Sequence, residues 1–208
     1  MTVQLLQAKQ LFCERDRRVL FQNFDVGVSS GEVLQVEGPN GSGKTTLLRI
    51  LTGLSDAYEG DVLWKGESIR RDRSQFLSQI QYLGHLAGIK QALSAQENLR
   101  WYMSARGVAA VEKIDPVLSR LGLRGYEDVP CYKMSAGQQR RVNLARLLLV
   151  PAALWILDEP FTAIDKKGVE LIEQLVCDQA EQGGSVIITT HQPLSRVTHL
   201  RKVTLGAA

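Results

Sequence analysis

The chain has 208 residues, 44% of them hydrophobic, enough to bury a substantial core in one domain and too few for two full domains. Its 25 basic and 22 acidic residues leave a formal net charge of +3, which excludes a strong overall field directed at nucleic acid or an anionic lipid surface. The cysteines Cys13, Cys131 and Cys177 are scattered without CxxC spacing, so neither a disulfide framework nor a zinc site is expected, and a reducing cytoplasm fits them better.

The N-terminal run Met1-Thr2-Val3-Gln4-Leu5 lacks the basic and apolar regions of a secretory signal. No apolar stretch approaches the roughly 20 residues that span a bilayer, so work at a membrane would require a partner. The N-terminal segment alternates in polarity and is rich in turn formers, which predicts a small antiparallel sheet. The arginines at positions 15, 17, 18, 70, 71 and 73 are interleaved with Asp16 and Asp72 and are expected on solvated loops or turns.

Between Leu34 and Leu51 a short apolar strand passes through a glycine-rich turn into a helix with Leu47, Leu48 and Leu51 on its faces. From about Gly88 to Cys131 the pattern is helical, clearest over 98–104 and 111–121, and it predicts an inserted helical subdomain at approximately 88–134. A basic, then apolar helix begins at Ser135 and ends at Pro151, followed by a strand from Ala153 to Leu157. An amphipathic stretch from Lys167 to Ala180 leads through Gly183-Gly184 to a strand at 186–189, with a last strand expected at 203–205. Uninterrupted apolar strands separated by helices imply an α/β fold with a mostly parallel sheet covered on both faces.

The segment Gly38-Pro39-Asn40-Gly41-Ser42-Gly43-Lys44-Thr45 matches GxxxxGK[ST] in full, after a predicted strand and opening a helix. Its glycines let the backbone wrap so that N–H groups and the positive helix end face phosphate oxygens. Lys44 would reach the outer phosphates, Thr45 would offer its hydroxyl to Mg2+, and Thr46 continues the ATP-binding segment. The strand Ala153-Leu154-Trp155-Ile156-Leu157 ends in Asp158-Glu159, two carboxylates that are costly at a buried strand end without cations or hydrogen bonds. Asp158 would hold the Mg2+ shell, and Glu159 would orient or deprotonate the attacking water. A helix-capping turn and a solvated acidic turn would explain either segment alone; their occurrence together favours a nucleotide site.

At Tyr132-Lys133-Met134-Ser135-Ala136-Gly137-Gln138-Gln139-Arg140-Arg141 the chain resembles the LSGGQ signature of the ABC ATPases, with Met134 for Leu and Ala136 for the first Gly. Alone, Ser135 could be an ordinary helix cap. The order decides: phosphate loop, helical insert, signature, Asp-Glu strand, Phe161-Thr162-Ala163-Ile164-Asp165, then Thr190-His191. This resemblance covers nearly the whole chain and implies an ABC-type P-loop NTPase with a RecA-like core sheet and an N-terminal antiparallel β subdomain. It also implies catalytic roles for Lys44, Glu159 and His191, and ATP and Mg2+ as ligands. Pairing head-to-tail with a second cassette follows from it too, with Ser135, Ala136, Gly137 and Gln138 acting in trans and Asp165 communicating between cassettes.

Two positions depart from the family pattern. His85, in Tyr82-Leu83-Gly84-His85, stands where a Gln usually links the nucleotide site to a membrane subunit, and Arg15 stands where an aromatic usually stacks on adenine, with Phe12 nearby. The segments around Cys13-Glu14-Arg15-Asp16, Gly88-Ile89-Lys90 and Thr190-His191-Gln192 are similar to the ATP-binding subunits of the bacterial cytochrome c maturation system, often called the haem exporter. That likeness implies membrane-spanning transporter subunits as partners, a haem chaperone indirectly, no nucleic acid, and a peripheral position on the cytoplasmic face of the bacterial inner membrane. The sequence itself contains no CxxCH motif and shows no haem ligand pair. The alternatives are the ABC ATPase of another small-substrate exporter, a soluble ABC switch on DNA or ribosomes, which would carry tandem cassettes or long coiled coils, and a P-loop kinase, against which Ser135 and His191 count.

Overall fold

In the computed structural model, which describes residues 4–86 and 88–206, the N-terminal alternation becomes two long strands, β1 (Gln4–Arg15) and β2 (Arg18–Ser29). Their two-residue tip, Asp16 and Arg17, has φ of +52° and +61°, the mirror-image turn whose twist matches flanking strands. The hairpin continues into β3 (Val33–Glu37), the phosphate-loop segment, and α1 (Lys44–Leu51). Next come β4 (Glu59–Trp64), β5 (Glu67–Ser68), α2 (Arg73–Gln79) and β6 (Ile80–Leu83). The antiparallel sheet has the order β2-β1-β4-β5, so it draws on β4 and β5 as well as the N-terminal hairpin.

The middle of the chain forms α3 (Ala95–Ala105) and α4 (Ile114–Arg120), followed by turns up to α5 (Ala136–Leu149). The helix expected over 111–121 is shorter than its pattern suggested, because residues 111–113 form a 3-10 turn and Pro116 is tolerated only in the first turn of α4. The chain ends with β7 (Leu154–Asp158), α6 (Lys166–Glu181), β8 (Ser185–Thr189) and β9 (Leu200–Thr204). The last strand therefore begins three positions before the expected Val203, and Leu205 lies beyond it, buried.

The parallel sheet has the order β6-β7-β8-β3-β9. Side chains alternate across it as the strand period requires. Trp155, Leu157, Val186 and Ile188 face the core shared with α3 to α6, whereas Leu154, Ile156, Ile187 and Leu34 face α1 and the antiparallel sheet. Register matters most for function: Asp158 pairs with Thr189, and Thr189 pairs with Val36. The C-terminal ends of β7, β8 and β3 thus lie in one row, the edge where open α/β sheets bind ligands.

Ser94 and Glu97 cap α3 reciprocally, and buried Asn98 stitches the preceding loop to the helix. Its Oδ1 accepts the Lys90 N–H at 2.7 Å, and its Nδ2 donates to the carbonyls of Lys90 and Ser94, both at 2.9 Å. Asn98→Ala is expected to destabilise the fold by about 1–3 kcal/mol, because partners of a buried amide lose their bonds. The check is a lower urea midpoint at unchanged slope.

Candidate functional site

The phosphate loop is shaped by contacts that exclude side chains. Gly38 has φ +145°, and a Cβ there would lie 2.6 Å from the Leu205 carbonyl and 2.7 Å from Ser42 Oγ. Gly43 is the N-cap of α1 and supplies no side-chain cap, so the first N–H groups of that helix are left for an external acceptor. Lys44 Nζ donates to the carbonyls of Gly38 at 2.6 Å and Pro39 at 3.2 Å, which holds its charge over the loop. Arg15, Leu20, Asn40, Gly41, Gly43, Lys44, Thr45, Thr46, Asp158 and Glu159 surround a cavity of about 390 Å³. Lys44 also walls an adjoining cleft shared with Gln35, Gly38, Thr190 and His191.

At the end of β7 the two carboxylates are held differently. Asp158 is buried; its Oδ1 accepts the Thr189 hydroxyl at 2.8 Å, and its Oδ2 has no hydrogen-bond partner. A buried, half-satisfied carboxylate facing a phosphate-binding cavity suits a divalent cation, so Asp158 and Thr45 fit a Mg2+ ion held mainly by water and phosphate oxygens. Glu159 turns out of the strand with φ +47°, and its N–H reaches both the Thr189 carbonyl at 3.1 Å and Thr189 Oγ1 at 3.0 Å. Its carboxylate is partly exposed, with Oε1 3.6 Å from His191 Nε2, near but beyond a hydrogen bond. Tyr82 stands beside Asp158; burial first, and that negative charge second, push its phenol up to about 12, so it stays protonated.

The signature residues lie away from this cavity, since none of positions 135–138 lines it. Ser135 caps α5: its Oγ accepts the Gln138 N–H at 3.2 Å, and Gln138 Oε1 accepts the Ser135 N–H at 2.8 Å. The capping role is therefore real, and it leaves the exposed Ser135 hydroxyl proton free to donate elsewhere. Gly137 has no room for a side chain, because a Cβ would meet the Ala163 carbonyl at 2.7 Å. Asp165, N-cap of α6, accepts from Gly168 N–H at 3.0 Å and from Arg141 Nη2 at 2.6 Å. The Gly168 bond first, and Arg141 second, lower its pKa below the usual carboxylate range.

His85 is exposed, next to Leu86, and lines neither cleft. Arg15 reaches the cavity from the hairpin tip, whereas Phe12 does not line it. Sequence reasoning missed Thr189, Leu20, Gln35 and Arg140. Thr189 had one available signal, as the last residue of an apolar strand ahead of His191; the others required the sheet order. The buried Arg140 guanidinium donates to the carbonyls of Gly84, Asp158, Glu159 and Pro160.

The ABC transporter family profile matches residues 21–162. The chain is 51% identical over 203 residues to the cytochrome c biogenesis ATP-binding export protein CcmA of Hahella chejuensis, covering 98% of this chain and 96% of that protein. To the protein of the same name from Pseudomonas fluorescens it is 48% identical over 207 residues, covering 99% and 98%. Among solved structures, the ATP-binding subunit of an ABC transporter superposes with a TM-score of 0.87 at 22% identity, over 97% of this chain and 85% of that one. A dimeric ATP-binding cassette in a post-hydrolysis state with ADP and Pi gives 0.83 at 23% identity, over 96% and 94%. These last two likenesses show the fold.

Thr189→Val keeps the shape of the side chain and removes the hydroxyl joining Asp158 to the Glu159 N–H. Turnover is expected to fall by about tenfold to a hundredfold while nucleotide affinity is retained. Lys44→Ala should instead weaken nucleotide binding itself, and titration with a fluorescent ATP analogue separates the two effects.

Proposed function

The chain belongs to the ABC transporter family as an ATP-hydrolysing subunit, and from that premise we propose that it drives haem delivery or export for c-type cytochrome biogenesis. The observation that carries the catalytic part is the single sheet edge that gathers the phosphate loop, Asp158-Glu159 and His191. The pathway rests on the relatives' name, which gives cytochrome c biogenesis and export, and on their identity over almost the full length of both chains; haem is the group that c-type cytochromes carry.

In this reading residues 1–208 are one nucleotide-binding domain, with approximately 88–134 as its helical insert. ATP lies along the cavity with its phosphates on N–H groups of the loop and of the first turn of α1, from Asn40 to Thr46, and Lys44 leaves its own loop carbonyls to bind the outer phosphates. Arg15 stacks on the adenine from the hairpin tip. Thr45 and Asp158 hold Mg2+, which neutralises charge on the phosphates when bound. Glu159 orients the attacking water and takes up its proton, and His191 contacts the γ-phosphate beside it.

A second cassette completes each site. Ser135, Ala136, Gly137 and Gln138 of one copy would close over the phosphates bound by the other, with the Ser135 hydroxyl donating and the N-terminus of α5 favouring the anion. Asp165, fastened to Arg141, would pass the state of one site to the next. ATP binding then joins two surfaces and hydrolysis releases them. No helix among the described residues is long and apolar enough to cross a membrane, so partner subunits would hold the cassette at the cytoplasmic face of the inner membrane. His85, with exposed Leu86 beside it, is the proposed contact to them. A haem chaperone would receive the cargo downstream, without touching this chain.

The test is complementation. In cells lacking this gene, c-type cytochromes detected by haem staining should disappear and return with the wild-type chain. Glu159→Gln should bind MgATP, nearly stop turnover and fail to restore them. Undiminished hydrolysis by that variant would remove Glu159 from its role, and normal cytochromes without the gene would remove haem handling. His85→Ala should lower the ratio of partner-stimulated to basal hydrolysis; an unchanged ratio would take the coupling contact elsewhere.

A further inference from the structure

Glu159 adopts φ +47°, a conformation that a non-glycine residue keeps only where its surroundings hold it. On one side the hold is Thr189, which accepts the Glu159 N–H twice. On the other it is Arg140. Its Nη2 donates to the Glu159 carbonyl at 3.0 Å and to the Asp158 carbonyl at 3.2 Å, and its Nε donates to the Pro160 carbonyl at 3.3 Å. The remaining arm, Nη1, donates to the Gly84 carbonyl at 2.8 Å, one residue before His85.

Arg140 is only 4% exposed, and each of these acceptors is a main-chain carbonyl. Taking a guanidinium out of water is unfavourable, and that desolvation is the chief cause lowering its pKa. An apolar side chain would fill the same space without that cost. What only a planar, five-donor group can do is fix several carbonyls from two separate segments at once.

We propose that Arg140 is a positioning residue for hydrolysis: it clamps the Glu159 backbone in its left-handed conformation, which aims the carboxylate, and ties that conformation to the His85 loop. The inference rests on the reading of Glu159 as the group that activates water. It adds a mechanical link, because Arg140 belongs to α5, the helix whose first turn carries Ser135 and Gly137. The helix end offered to a second cassette is thereby fastened to the carboxylate of its own site.

The test uses the intact complex and single-turnover hydrolysis with bound ATP measured separately. Arg140→Met is expected to slow the chemical step by about tenfold to a hundredfold with ATP affinity preserved, the pattern of a misaimed group. Arg140→Lys, whose single nitrogen cannot span both segments, should fall between the two. In a Glu159→Gln background Arg140→Met should add little further loss, since residues that act as a unit are not additive. A wild-type rate for Arg140→Met, a loss explained by weaker ATP binding, or a full additional loss in the Glu159→Gln background would each overturn the proposal. Should Arg140→Met fail to fold, Arg140→Lys and Arg140→Gln carry the same comparison. If Glu159→Gln alone hydrolyses normally, the underlying reading of Glu159 has failed, whatever Arg140 does.

Discussion

Asp158 and Glu159 end a strand whose five residues are all buried, and the hydrogen bonds of Thr189 make that ending tolerable. The Thr189 hydroxyl donates to Asp158 Oδ1 while accepting the Glu159 N–H, so one buried group satisfies half of one acid and orients the backbone of the other. What it leaves over defines the chemistry: one Asp158 oxygen without a partner and a Glu159 carboxylate turned toward the cleft. Both suit the proposed cation and attacking water. Because β8 lies between β7 and β3, the same residue also fixes the carboxylates relative to the phosphate loop.

Much of this was legible in the sequence, for identifiable reasons. The phosphate loop and the Asp-Glu strand are local: each needs a backbone shape that a few adjacent residues dictate. Strands β7 and β8 were visible as apolar runs, and β3 as one broken only by Gln35, since a strand buried on both faces has no alternation to confuse. The extents of the helix expected over 111–121 and of the last strand differ from the pattern, because a 3-10 turn and a half-exposed edge strand weaken either period at their ends. Arg140 could not be identified at all. In the sequence it is one of two adjacent arginines in a basic helix start, and only the sheet order brings Gly84 and Asp158 to either side of it. Its burial among carbonyls is a property of the fold, not of the charge pattern.

The two arginines divide the work of joining elements. Arg140 faces inward to the end of β7 and the loop before His85, while Arg141 reaches Asp165 at the start of α6. Gly137 allows α5 to approach the Ala163 carbonyl closely, so the signature helix, the Asp165 loop and the carboxylates are packed as neighbours. Such a packed arrangement is suited to passing a discrete change at the γ-phosphate to distant surfaces, because packed contacts switch between arrangements instead of deforming gradually. The exposed end of that chain of contacts is His85 with Leu86, the proposed site of the membrane partner.

The most direct test is affinity purification of this chain from detergent-solubilised membranes, with mass spectrometry of what accompanies it and ATP hydrolysis measured with and without those proteins. Hydrophobic subunits of cytochrome c maturation that change the hydrolysis rate are the expected companions. Recovery of ribosomes or DNA in place of membrane subunits, or a rate indifferent to every partner recovered, would contradict the proposed function.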